Sequence, residues 1–414
     1  MELEKKPHEI CAQNELQDLS SNSHRDVQQK GAMPADGIHA MVLQERMCAG
    51  ARKYRDFVNG VPGSPFFQRE FSFSGLDRWH QEGLPEDVNL DEFFHFDPQG
   101  AYSIGQLGWT TAAFSPAFEE KVLEDRGECE VAQDAAGRHV LFFKGRRSGF
   151  MPEYLDHPVK NRKTWEENVK WRLDPMTAQR YADTAMQMQK AKEGAGQGMV
   201  MFQHVIGGFM YLRSLIGPLD LLYFVHDEPE LLHDCMETWF KLADAVISRH
   251  QEQITFDVLF FGEDICYNHG ALISPEMIRR YLFPYYQQLI ANMKSRQIDK
   301  KRHLHFAVDT DGFASSVIPL YQDIGVDIMM PFEVASGCDV VEIGRQYPGL
   351  IMSGGFDKRI LARDKETIDR EVERIFPVMR ARGGYLPTCD HGVPEEVSLE
   401  NYLHYRKRCL EWAK

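Results

Sequence analysis

Gly384-Tyr385-Leu386-Pro387-Thr388-Cys389-Asp390-His391-Gly392-Val393-Pro394 is a short apolar run that ends in Cys-Asp-His and turns on Gly-Val-Pro. The run reads as a strand, and three side chains able to handle protons or metals stand where it gives way to a loop. His305-Phe306-Ala307-Val308-Asp309-Thr310-Asp311-Gly312 repeats the design, an apolar run closing in carboxylates. In a barrel of parallel strands the C-terminal strand ends share one mouth, and chemistry is done there. Convergence of these two ends is therefore the organising expectation.

Working outward, strand-like and helix-like segments alternate. Strands are expected at Phe66–Phe71, Met199–His204, Asp257–Phe261, His303–Val308, Ile328–Pro331, Leu350–Ser353 and Gly384–Thr388. Pro229–His250 reads as a long amphipathic helix, and Ser274-Pro275-Glu276 opens another with Ser as cap. Short apolar strands alternating with long helices imply a parallel sheet. Five of the strands end in a carboxylate or histidine, which favours a closed barrel over an open sheet. The expected fold is α/β, a single (β/α)8 TIM barrel over residues 36–414. Its helical start lies near Ala35-Asp36-Gly37-Ile38 and runs through Val42 and Met47. Residues 1–35 read as a polar tail. A β-hairpin insertion is expected near 128–144, turning on Asp134-Ala135-Ala136-Gly137. Gly207-Gly208 and Gly354-Gly355 lack the context of a phosphate-binding loop.

The 414 residues carry a net charge of -15, which argues against nucleic-acid or anionic-membrane partners. The apolar stretch 198–225 is interrupted by Gln203, His204, Arg213, Pro218 and Asp220, so it reads as strand plus helix rather than a membrane span. No signal pattern opens the chain, and eight scattered cysteines make neither a disulfide framework nor a CxxC metal motif. A cytoplasmic location is the expectation.

Asp309 and Asp311 stand at a strand end, where metal or substrate contact is expected; either alone could instead cap the next helix. His391 is a candidate proton-transfer group, with Asp390 beside it to orient the ring or to touch substrate. Of Glu263 and Asp264, Glu263 is the candidate base at the mouth. Glu333 either contacts substrate or pairs with Lys358 or Arg359. His204 and Tyr267 are candidate pocket residues, with Asn268 and His269 in the same loop as Tyr267; Arg69 or Glu70 could reach the mouth. His303 and His305 read as structural, Cys389 as a buried inert thiol, and the Arg- and Trp-rich 145–172 stretch as a solvated lid.

The segments Leu272-Ile273-Ser274-Pro275-Glu276, Val308-Asp309-Thr310-Asp311-Gly312, Gly354-Gly355-Phe356-Asp357-Lys358 and Asp390-His391-Gly392-Val393-Pro394, with Leu399-Glu400-Asn401 behind, resemble the uroporphyrinogen decarboxylase superfamily. That group also contains corrinoid-linked methyltransferases. The resemblance covers most of residues 200–414. Before residue 200, Arg78-Trp79-His80-Gln81-Glu82-Gly83-Leu84-Pro85 is similar to uncharacterised members. It implies one barrel with a deep mouth. The Arg-Gln-Ala-Gly-Arg-Tyr motif with which true decarboxylases grip substrate carboxylates is missing; Arg52-Lys53-Tyr54-Arg55 is the nearest cationic stretch. The methyltransferase branch binds zinc through His-x-Cys and a later Cys. The same register here offers Asp309, Asp311 and His391, a harder set suited to an oxygen substrate. The resemblance thus implies Zn2+ on these three residues and methyl transfer from a small methoxylated or methylated compound to a corrinoid carried by a partner protein. The alternatives are a cofactor-independent decarboxylase of a porphyrinogen or other small acid, and a non-catalytic metabolite- or corrinoid-binding barrel. A homodimer joined at the mouths is a further implication of the resemblance.

Overall fold

The computed structural model describes residues 47–145 and 152–414; the expected tail and helix before Met47 lie outside them. Seven parallel strands form one sheet: β1 (Ala101–Ile104), β6 (Val200–Ile206), β7 (Val258–Gly262), β10 (His305–Asp309), β11 (Ile328–Met330), β12 (Ile351–Ser353) and β13 (Tyr385–Leu386), in that spatial order. The strands are short and apolar on both faces; every residue of Val258–Gly262 is buried, as a parallel strand between two layers requires.

The sheet is curled. Val200, Phe202, Val258, Phe260, Ala307, Ile328, Ile351 and Leu386, drawn from six of its strands, meet in one concave-side cluster together with Phe67. Helix α1 (Ala49–Val58) closes the N-terminal end by adding Phe57 and Val58 to that cluster. Arg55 of α1 locks it there. Its guanidinium donates to both oxygens of buried Asp257 (3.1 and 3.2 Å) and to the Gly198 and Met199 carbonyls. The convex side is covered by α2 (Gly208–Ile216), α3 (Pro229–Gln251), α4 (Pro275–Tyr281), α5 (Phe283–Arg296), α6 (Lys365–Arg382) and α7 (Leu399–Glu411), whose apolar faces form the larger core. Each fully buried Leu, Ile or Phe there contributes about 1.5–3 kcal/mol relative to exposure.

Two expectations are corrected. Phe66–Phe71 is not a strand; the one parallel bridge in this region, Phe73 to Val393, comes just after it and lies beyond β13. The reason is that side chains take the backbone groups a ladder would use: Glu70 accepts the Cys389 N–H at 2.9 Å, and Asp97 accepts the Gln68 N–H at 2.7 Å. β1 and β13 are therefore the two edges of the ladder among the described residues. The insertion is larger than a hairpin. β3 (Cys129–Gln133) and β4 (His139–Phe143) pair as expected, but β2 (Lys121–Arg126) and β5 (Glu153–Asp156) flank them in a four-stranded antiparallel sheet. β2 is exposed along its whole length, so no alternation of burial marked it in the sequence.

Candidate active site

Strand parity decides what the mouth contains. β10 presents His305, Ala307 and Asp309 on the face where Ala307 joins the concave cluster. Asp309 is in register with Gly262 and Met330. Parity therefore turns Gly262 inward and Glu263 outward. Glu263 is fully buried against the helices; its carboxylate accepts from the Phe209 N–H at 2.8 Å and from the Tyr286 hydroxyl. Burial pushes its pKa up to about 7. It holds α2 and α5 to the end of β7, and Asp264 takes the place at the mouth expected of it. Asp264, at φ +43°, bonds Arg213 at 2.6 Å and acts electrostatically on both Asp309 and Asp311.

Asp309 carries the strongest signal. Its side chain makes no hydrogen bond to the described residues, and burial, then Asp311 and Asp264, raise its pKa well above the usual carboxylate range. Such a carboxyl keeps its proton to higher pH than an ordinary one. Asp311 is half-exposed; burial first, with Asp264 and Glu333 adding and His391 and Lys358 opposing, lifts its pKa to about 6. The His391 ring lies 3.9 Å from Asp311 and packs on half-exposed Phe71 (centroids 5.3 Å). It does not bond Asp390. That residue is fully buried and accepts from the Val334 N–H (3.0 Å) and the Lys358 N–H (3.1 Å), tying the loops after β11 and β12 together. Its expected place at the ring or the substrate is thus taken by a structural tie.

Glu333 accepts from the Gly312 N–H at 2.8 Å, and the Lys358 ammonium lies 3.4 Å away, so the structural pairing expected of it is present. Gly312 (φ +75°) lets the chain pass against Tyr267: a Cβ there would sit 2.6 Å from the Tyr267 carbonyl. Tyr267 is half-exposed beside His269 at this rim. His204 faces the concave side and stacks on Phe260 (centroids 4.6 Å, 15°); burial lowers its pKa to about 4, so the ring is neutral. Arg69 is turned to Asp91 at 2.9 Å, and Glu70 is buried on Cys389 and Tyr402.

Trp109 is the residue that sequence reasoning missed. Its indole stacks on Phe260 (5.3 Å) and His204 (5.5 Å) and lies over Gly262, next to Asp309 in register, while 41% of it stays exposed. A buried polar relay fixes its loop. Gln203 Nε2 donates to the Ile104 and Gly105 carbonyls, its Oε1 meets His250 Nδ1 at 2.7 Å, and His250 Nε2 meets the Gln106 amide at 3.1 Å.

The charge balance at the mouth is acidic. Asp264, Asp309, Asp311, Glu333 and Asp390 face two cations among the described residues, Arg213 and Lys358, both already engaged by carboxylates. Arg55 and Lys53, from the cationic stretch near the N-terminus, serve elsewhere, on Asp257 and Asp97. As a metal site the expected trio is incomplete. Asp311 and His391 face each other, but the three-donor group whose ligand atoms lie within 4.8 Å of one another, among the described residues, is not this one. A cavity of about 620 Å³ bounded by Thr184, Gln189, Lys192 and Gln253 holds none of these groups.

Residues 148–412 match the family model for uroporphyrinogen decarboxylase. Curated relatives include uroporphyrinogen decarboxylases of Rhodococcus erythropolis (27% identical over 150 residues, 35% of this chain and 39% of that protein) and Saccharopolyspora erythraea (25% over 171 residues, 41% and 46%). The chain spans less than half the length of these relatives. Among solved structures, a methyltransferase from Methanosarcina mazei superposes with a TM-score of 0.54 at 12% identity, covering 88% of this chain and 99% of its own, which makes the fold common to both. With the family model covering well over half of its residues, this chain belongs to the uroporphyrinogen decarboxylase family.

Proposed function

We propose that this protein is a methyltransferase of the uroporphyrinogen decarboxylase family, built on a (β/α)8-type barrel in which the 66–74 segment, bridged from Phe73 to Val393, stands in place of an eighth strand. It would take a methyl group from a small neutral or cationic methoxylated or methylated compound. The observation that carries the reading is the acidic mouth around Asp309. A polycarboxylate porphyrinogen needs several free cations to hold it, and among the described residues the two cations at this mouth, Arg213 and Lys358, are spent on carboxylates. Trp109, with its exposed indole face, offers an aromatic platform for a methoxylated ring or a methylated amine instead.

The chemistry of these residues follows from their protonation. As the methyl–heteroatom bond breaks, its electron pair stays on the leaving oxygen or nitrogen, and the proton of Asp309 neutralises it. Asp311 and His391, in contact with each other, return the proton from solvent. A corrinoid carried by a partner protein would supply the nucleophilic cobalt(I) that receives the methyl. Zinc held by Asp309, Asp311 and His391 would polarise the same leaving atom, but these three donors do not converge on one point.

The test uses free cob(I)alamin as acceptor, titanium(III) citrate as reductant, and a panel of methoxylated aromatics and methylated amines. Formation of the methylcobalamin spectrum is expected with at least one neutral or cationic donor. Porphyrinogen decarboxylation without any methyl transfer would overturn the reading in favour of a carboxy-lyase.

A further inference from the structure

We propose that His303, His305 and Asp327 form a divalent transition-metal site of the zinc class on the N-terminal face of the sheet. This face is remote from the mouth: His305 and Asp309 are the two ends of β10, four residue steps or about 13 Å of strand apart. The three side chains come together because β10 and β11 are parallel neighbours, with Ala307 opposite Ile328. His305 opens β10, His303 lies two residues before it, and Asp327 immediately precedes β11.

The geometry is that of a ligand set. His303 Nε2 and His305 Nδ1 lie 3.0 and 2.9 Å from the same carboxylate oxygen, Asp327 Oδ2. All three donor atoms lie within 4.8 Å of one another, and this is the group of three or more such residues that does so among the described residues. The rings stand nearly perpendicular (centroids 4.4 Å, 81°), and one nitrogen of each meets the same carboxylate oxygen. The other carboxylate oxygen, Oδ1, accepts from the Phe306 N–H at 3.0 Å, the kind of secondary bond that orients a metal-binding carboxylate. Neighbouring cations do not crowd the site: Arg302 is turned to Asp257 at 3.6 Å. Two imidazoles and one carboxylate match zinc, cobalt(II) or nickel(II) rather than calcium or magnesium. His305 is buried and His303 is 63% exposed on its side chain, so a cation can enter from solvent and a water can complete its shell.

Without a metal, each ring must carry a proton on the nitrogen facing Oδ2, and the cluster is a pair of hydrogen bonds between two strand ends. A divalent cation binds at these two nitrogens once each neutral ring carries its proton on the other one, Nδ1 of His303 and Nε2 of His305. The two states are distinguished by binding, not by activity. The full chain, produced without a polyhistidine tag and stripped with a chelator, is titrated with Co2+ and then Zn2+. One tight equivalent with the visible bands of a low-symmetry cobalt site is expected, displaced by Zn2+. In His303→Ala, an exposed change that leaves the core untouched, affinity falls at least tenfold; Asp327→Asn behaves in the same way. Asp309→Asn and His391→Ala keep the full equivalent. Absence of a tight equivalent in the wild type overturns the proposal, as does unchanged affinity in His303→Ala or loss of the equivalent in the mouth variants.

Discussion

Asp390→Ala separates a structural from a catalytic aspartate at a position that sequence alone assigns to the site. The carboxylate is fully buried and satisfies two backbone donors, Val334 and Lys358, from the loops after β11 and β12. Removing it leaves both N–H groups without an acceptor. Each such group costs about 1–3 kcal/mol, and both residues are only partly buried. The loss is therefore set near the lower half of the sum, about 2–4 kcal/mol. The Lys358 ammonium, 3.9 Å away, keeps Glu333 as partner and adds little. Asp390→Asn retains one acceptor oxygen and should lose about half as much. Urea unfolding of the full chain, followed by far-ultraviolet circular dichroism, reads the difference. If Asp390→Ala unfolds within about 0.5 kcal/mol of the wild type, the range of an ordinary surface change, while its activity is abolished, the structural assignment is refuted.

Other expectations follow from the same geometry. Glu263, pushed up to about 7 by burial, binds more protons folded than unfolded between pH 4.5 and 7. Its contribution is thus fully present below pH 4.5 and lost as pH rises through 7, up to about 3 kcal/mol. Thermal unfolding across pH 5–8 should show stability falling with pH in the wild type and a flatter profile in Glu263→Gln; identical profiles would contradict the assignment. Trp109→Ala removes the indole over Gly262 and should raise KM about fivefold with kcat nearly kept, because a stacking platform is worth about 1 kcal/mol; an unchanged KM would remove Trp109 from the site.

Much of the parallel sheet was legible because its strands are continuous apolar runs bounded by helices, and the strand-end carboxylates marked the mouth. The choice between Glu263 and Asp264 was not. Val258–Gly262 is apolar at every position, so no alternation shows which side chains face inward; only the register of Asp309 with Gly262 reveals it. The Phe66–Phe71 segment has the composition of a strand, but the Glu70 carboxylate takes the Cys389 N–H and Asp97 takes the Gln68 N–H, so side chains occupy the groups a ladder would use. Trp109 escaped notice because the strand before it is four residues long and half-buried. His303 and His305 read as structural because their partner, Asp327, is adjacent only through strand pairing.

The most direct measurement of the central claim is the single-turnover rate of methyl transfer to cob(I)alamin, in wild type and Asp309→Asn, from pH 5 to 9. A proton-donating Asp309 predicts a wild-type rate that falls as pH rises through its raised pKa. It also predicts a loss of about 100-fold or more in Asp309→Asn, with the pH dependence removed. A variant that transfers methyl at the wild-type rate with the same profile would contradict the account.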